Sequence, residues 1–157
     1  MLSIKVSSVT PLSDMRLLVI FENGVIKLFD VRPIITDYPE YAALENPDLF
    51  SLVKVEPGGY GVSWTPELDA SEGELWENGV EIKGLSYDDL VAFVRYNIIE
   101  TSDVTQILDC TRQNIDKLTK RQRLEPIKVL DKTKLFLRSD IERRAHQAAS
   151  RGKEANN

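Results

Sequence analysis

The stretch from Ile107 to Ala145, ILDCTRQNIDKLTKRQRLEPIKVLDKTKLFLRSDIERRA, decides how this chain is read. Thr111 stands where a helix N-cap belongs, with a hydroxyl able to accept from an orphan N–H of the first turn, and Arg112 to about Lys120 follows as a helix. At about 100° per residue, Ile115 and Leu118 fall on one side of it and Gln113, Asp116, Lys117 and Lys120 on the other. One side packs and the other stays free. Upstream, Thr101 or Ser102 is expected to cap a short helix from Asp103 to Leu108 that presents Val104, Ile107 and Leu108 to a core. Asp109 and Cys110 then form the turn, where a short polar side chain tolerates the left-handed region. Downstream, Leu124 and Ile127 flank Glu125-Pro126. Lys128 to Leu130 and Leu135 to Leu137 are short apolar strands around Asp131-Lys-Thr-Lys134, and Ser139-Asp140 opens a last helix at Ile141.

Charge singles out the same region. The chain of 157 residues has a formal net charge of -5, but Met1 to Gly84 carries -8 and Leu85 to Asn157 carries +3. Within the latter, Arg112 to Lys153 holds 13 basic and 5 acidic residues. Such a split points to two modules with different partners, and a basic helical module points to nucleic acid. A 42% hydrophobic and 29% charged composition is that of a folded globular chain. The longest apolar run near the start, Leu17 to Phe21, is too short for a secretory signal or a membrane span, so a cytoplasmic protein is expected. The single cysteine, Cys110, can close no intrachain disulfide.

The first module reads as strands and turns. Arg16 to Glu22 and Val25 to Asp30 flank Asn23-Gly24, a pair that tolerates positive φ at both positions of a hairpin turn. A short helical stretch is expected near Tyr38 to Leu44, ended at Asn46-Pro47. Pro57-Gly58-Gly59 is the turn of a further hairpin with Trp64 on its returning strand, and a turn at Asn78-Gly79 closes the module. The boundary is placed near Gly79 to Ser86. Ser86 caps a helix with Asp88 and Asp89 in its first turn and Leu90, Phe93, Val94 and Asn97 on an inward face. The expected domains are 1–82, 83–150 and a disordered tail, 151–157.

Two resemblances rest on these residues. The run VTPLSDMRLLVIFENGVIKLFDVRPII, then LFSLVKVEPGGYGVSW and LDASEGELWENG, resembles the bacterial domain-of-unknown-function-2442 family. That implies a compact α+β domain with no known activity, in a family often encoded beside a small partner in an arrangement like toxin and antitoxin. The segment from Ser102 to Arg144 resembles the excisionase and MerR-type winged helix-turn-helix family, with a serine or threonine before the recognition helix and a terminal Asp-Ile helix start. Two departures stand out: Asp109 occupies a position where glycine is common, and Asp116 puts a negative charge on the outward face. Together they imply an α+β chain, a small β-rich domain followed by a winged helix-turn-helix.

The roles follow from geometry. Arg112 and Gln113, at the start of the helix, are placed to meet base edges, arginine on guanine and glutamine on adenine. Lys117, Lys120, Arg121 and Arg123, with Lys132, Thr133 and Lys134 at the wing, are placed to meet phosphates. Double-stranded DNA is thus the expected partner, bound by a homodimer with no cofactor. The other reading is an antitoxin-like module whose acidic residues Glu67, Asp69, Glu72, Glu74 and Glu77 engage a protein. Catalysis is not expected. Gly58-Gly59 is followed by no P-loop lysine, the one histidine, His146, lies in the tail, and Tyr60, Trp64 and Trp76 read as core aromatics rather than a pocket.

Overall fold

The computed structural model describes residues 4–154. They form an α+β protein of two compact units, one up to Phe93 and the other from Val94.

In the first unit, β1 (Val6–Leu12), β2 (Arg16–Phe21) and β3 (Ile26–Asp30) form an antiparallel meander. The hairpin at Asn23-Gly24 forms, but with positive φ at Gly24 alone, at +84°: the Gly24 N–H donates to the Phe21 carbonyl at 2.9 Å, and the Asn23 side chain accepts from the Val25 N–H at 3.1 Å. Then come α1 (Arg32–Asp37), a 3₁₀ segment (Pro39–Glu45) and α2 (Pro47–Phe50). The Asn46 carboxamide caps α2, so the Asn-Pro pair ends one helical segment and begins the next. A second sheet, in the order β4-β5-β6, consists of β4 (Lys54–Val55), β5 (Gly61–Thr65) and β6 (Leu68–Ser71). Gly59, in the turn between β4 and β5, has φ +77°, and a Cβ there would lie 2.7 Å from the Val6 carbonyl oxygen; only glycine admits β1 so closely.

α3 (Glu72–Asn78) follows, and β7 (Val80–Glu81) joins the first sheet beside β3. The turn expected at Asn78-Gly79 is instead the end of α3, and Gly79 is extended at φ −75°. Ser71 caps this helix by accepting from the Glu74 N–H at 3.2 Å, and Ser-x-x-Glu is a helix-start signature that the turn reading passed over. Leu17, Val19 and Phe21 alternate onto the core face of β2 and meet Phe29, Leu44, Phe50, Trp64 and Leu75. Trp64 is core, with its indole N–H donating to the Phe50 carbonyl at 3.0 Å. Trp76 is partly buried, edge-on to Phe21 at 4.9 Å, while Tyr60 is exposed.

The division between units falls within α4 (Tyr87–Asn97), later than the expected boundary. Ser86 caps the helix, accepting from the Asp89 N–H at 3.2 Å. Its expected inward face is only partly so. Asn97 is buried and Phe93 half-buried, but Leu90 and Val94 are 48% and 47% exposed and Tyr87 79%. The other buried position is Asp89, whose carboxylate takes both arms of Arg16 from β2 at 3.0 and 3.4 Å. An ion pair, not an apolar contact, sets which side of the first turns faces in.

The second unit consists of β8 (Ile98–Glu100), α5 (Thr101–Ile107), α6 (Arg112–Lys120), β9 (Lys128–Val129), β10 (Lys134–Leu137) and α7 (Arg138–Glu154). Its antiparallel sheet has the order β8-β10-β9, with Ile99 opposite Phe136. β8 carries no sequence signal of its own: three residues are too few to show alternation. Glu100, not Thr101 or Ser102, precedes α5 as its cap, and the Asp103 carboxylate accepts from the Glu100 N–H at 2.9 Å. Ile99, Val104, Ile115, Leu124, Phe136 and Ile141 form the core, with half-buried Cys110 packed on it. α7 begins at Arg138 rather than Ile141 and stays helical to Glu154, where a disordered tail from residue 151 is expected; 155–157 lie outside the described residues. Ala145, Ala148 and Ala149 favour a helix without any apolar stripe. Among the described residues, no helix is long and apolar enough to cross a membrane.

Candidate functional site

α5 and α6 meet through a tight turn. Asp109 takes φ +47°, and the Cys110 N–H returns to the Thr105 carbonyl at 3.0 Å. The chain then re-enters a helix at Thr111, whose hydroxyl accepts from the Asn114 N–H at 3.2 Å. Ile115 is fully buried and Leu118 packs on the same core, so one side of α6 is pinned and the opposite side is turned to solvent. Gln113, Lys117 and Lys120 are exposed there, and Arg112 and Asn114 are exposed in the first turn on the flanks of Ile115, Asn114 being a residue that the sequence reading did not single out.

α6 ends in a Schellman motif. The Arg123 N–H bonds the Leu118 carbonyl at 2.8 Å and the Gln122 N–H the Thr119 carbonyl at 3.0 Å, with Gln122 at φ +55°. This reversal buries Leu124 and leaves Arg121 and Arg123 exposed. Arg144 on α7 donates to the Arg123 carbonyl at 3.3 Å. A second basic group therefore stands beside Arg123, and only the packing of α7 brings it there. Its neighbour Arg143 leans on Asp140 at 3.4 Å.

The β9–β10 hairpin is closed by the Leu130 N–H to the Thr133 carbonyl at 2.9 Å, with Lys132 exposed near its tip. Thr133 and Lys134 are half-buried and turned back toward the helices. The Thr133 hydroxyl lies 3.3 Å from that of Thr101, and the Lys134 N–H donates to the Thr101 hydroxyl at 3.1 Å. The Lys134 ammonium reaches the Asp116 carboxylate at 2.5 Å. Lys134 and Asp116 thus form one ion pair between the hairpin and the outer side of α6. The hydrogen bond from Lys134 holds the Asp116 carboxyl below the usual carboxylate range, with the charges of Lys134, Lys120 and Arg112 adding to it.

Arg138 at the start of α7 is occupied within its own unit: its Nε donates to the Tyr96 carbonyl at 2.8 Å and its guanidinium stacks on the Tyr96 ring at 4.5 Å. In the first unit, Glu67, Asp69 and Glu77 are exposed and Glu72 and Glu74 half-buried. Burial, and then the nearby Asp69, raise the Glu74 carboxyl. Among the described residues, no group of three His, Cys, Asp or Glu side chains is placed to hold a metal ion.

The strands β1 to β7 have a counterpart among known families. Residues 6–81 match the family described as "Protein of unknown function (DUF2442)". The matched segment begins with the first residue of β1 and ends with the last of β7, so α4 and the second unit lie outside it. No curated protein matches the chain. A crystal structure from Nitrosomonas europaea ATCC 19718, of a protein named "Putative DNA Binding Protein NE0471", is similar at 19% identity and a TM-score of 0.43, over 78% of this chain and 79% of that one.

Proposed function

We propose that the second unit is a winged helix-turn-helix that binds double-stranded DNA, with α6 as recognition helix and the β9–β10 hairpin as wing, and that the protein is a transcriptional regulator rather than an enzyme. One observation carries this reading. α6 is pinned by Ile115 on one side and offers Gln113, Lys117 and Lys120 on the other, with Arg112 exposed at its first residue and Arg121, Arg123 and Lys132 also exposed. A helix held by one face, with its first turn free, suits insertion into the major groove.

Arg112 and Gln113 would meet base edges, while the lysines and Arg121 and Arg123 would neutralise phosphates and release counterions. Lys134, occupied by Asp116, is a weaker candidate for phosphate than its place in the wing suggests. One recognition helix spans only a few base pairs, so the reading includes a homodimer on two half-sites; Tyr87 and Leu90, exposed on α4, supply apolar surface for it. The acidic matched segment would serve as the partner-binding or signal-receiving module.

The test is the affinity of the full chain for duplex DNA as a function of salt. Replacing both Lys117 and Lys120 with alanine should flatten the slope of log affinity against log salt by about 1.8 units per protomer bound to B-DNA, at any sequence. Arg112→Ala should instead relax preference at one base position by about 1–3 kcal/mol. A chain that binds no duplex at about 50 mM salt, where phosphate contacts are strongest, removes the reading.

A further inference from the structure

We propose that Asp116 is a specificity-determining residue of α6, one that penalises non-cognate DNA and is compensated by the N4 amino group of a cytosine in the major groove. The inference rests on the DNA-binding reading above and concerns the same surface. Asp116 lies one turn beyond Arg112 and one turn before Lys120, on the outer side of the helix. A carboxylate there opposes every phosphate that the surrounding cations attract. It also occupies the Lys134 ammonium through Oδ1, so a cation of the wing is withheld from the DNA backbone.

Anchoring the hairpin does not account for it. Lys134 is already tied by its N–H to the Thr101 hydroxyl, and β10 is paired on both sides, to β8 and β9. An ion pair whose carboxylate is half exposed adds little to such a fold. Recognition gives the carboxylate a use. It is an acceptor only, with about four lone-pair positions, and Lys134 takes one oxygen and leaves Oδ2 without a partner among the described residues. Cytosine N4 is the donor in the major groove that aspartate and glutamate accept from. Non-specific binding is almost wholly the phosphate contribution, so Asp116 weakens it without return. At a cognate site the new hydrogen bond offsets that loss, and the ratio of specific to non-specific affinity rises.

The experiment uses the full chain, a random-sequence duplex, and the duplex that the parent protein selects from a random pool. Asp116→Asn should bind the random duplex about fivefold tighter at low salt, as one cation is freed and one repulsion removed, with the gap closing as salt rises. Its affinity for the selected duplex should stay level or fall. Exchanging one C·G pair of that duplex for T·A should weaken the parent about tenfold or more and leave Asp116→Ala, which has no acceptor for cytosine N4, nearly unaffected. Lys134→Met, which breaks the same ion pair but keeps the carboxylate, should retain the cytosine preference; if it and Asp116→Asn both lose affinity for all duplexes alike, Asp116 only props the hairpin and the inference fails. It also fails if Asp116→Asn tightens random and selected duplexes by one common factor. If the parent binds neither duplex, the DNA-binding reading itself is what has failed.

Discussion

Removing the Arg16 guanidinium while leaving Asp89 in place should destabilise the first unit more than any substitution of an exposed charge. The two side chains form a forked pair at 3.0 and 3.4 Å between β2 and the first turn of α4, with the Asp89 side chain 9% and the Arg16 side chain 25% exposed. Breaking a fully buried pair from one side costs about 3–5 kcal/mol, because the remaining charge is stranded. Here the cost falls at the low end of that range. The Arg16 side chain, a quarter exposed, is partly solvated, and Asp89 retains the favourable field of a helix N-terminus, worth about 0.3–1 kcal/mol. Arg16→Met is therefore expected to cost about 3 kcal/mol, whereas Arg16→Met with Asp89→Leu should lie near the parent, since an apolar pair of similar volume carries no desolvation cost. The readout is urea unfolding followed by tryptophan fluorescence, which reports this unit alone because the chain's two tryptophans are Trp64 and Trp76. With about 4–8 °C per kcal/mol in a unit of this size, the single variant should also melt roughly 12–24 °C lower. A single variant melting within about 3 °C of the parent would refute the reasoning, as would a double variant no better than the single.

Two further outcomes concern the second unit. Gln122→Gly should stabilise it by about 0.5–1 kcal/mol in thermal unfolding, since Gln122 holds φ +55° in the Schellman motif and glycine relieves more left-handed strain than it adds in unfolded-chain entropy; a loss of stability would mean the glutamine side chain contributes what the backbone does not show. Glu142→Gln should raise the melting temperature near neutral pH and not below about pH 4.3, the ordinary glutamate value. Burial raises the Glu142 carboxyl despite the Arg138 charge 3.8 Å away, so the folded chain holds that proton to higher pH than the unfolded chain does. Stability then falls as pH rises through that window, and glutamine removes the loss. A pH-independent difference would contradict it.

Where sequence and structure agree, the signal was local. The Asn23-Gly24 hairpin, the Ser86 and Thr111 caps, the left-handed Asp109 and the pinned face of α6 each depend on residues within about one turn of one another. α3 was legible too, in Ser71-x-x-Glu74, but a following Asn-Gly pair drew the reading to a turn. β8 was not legible. A three-residue strand exists because β10, more than thirty positions later, supplies its hydrogen bonds. The inward side of α4 was not legible either, because Arg16 lies 73 positions from the aspartate it holds.

The same division runs through the candidate site. By itself the sequence determined that a capped, basic, one-sided helix follows a tight turn and precedes a charged hairpin, because caps, turn residues and a 3.6-residue period act through neighbours along the chain. Only the tertiary structure decided which of those charges are free. Folding the hairpin against the helices set Lys134 on Asp116, and packing α7 set Arg144 beside Arg123. Neither pairing has a signature in the sequence, since the partners are 18 and 21 positions apart and meet only because Ile115, Leu124, Phe136 and Ile141 share one core.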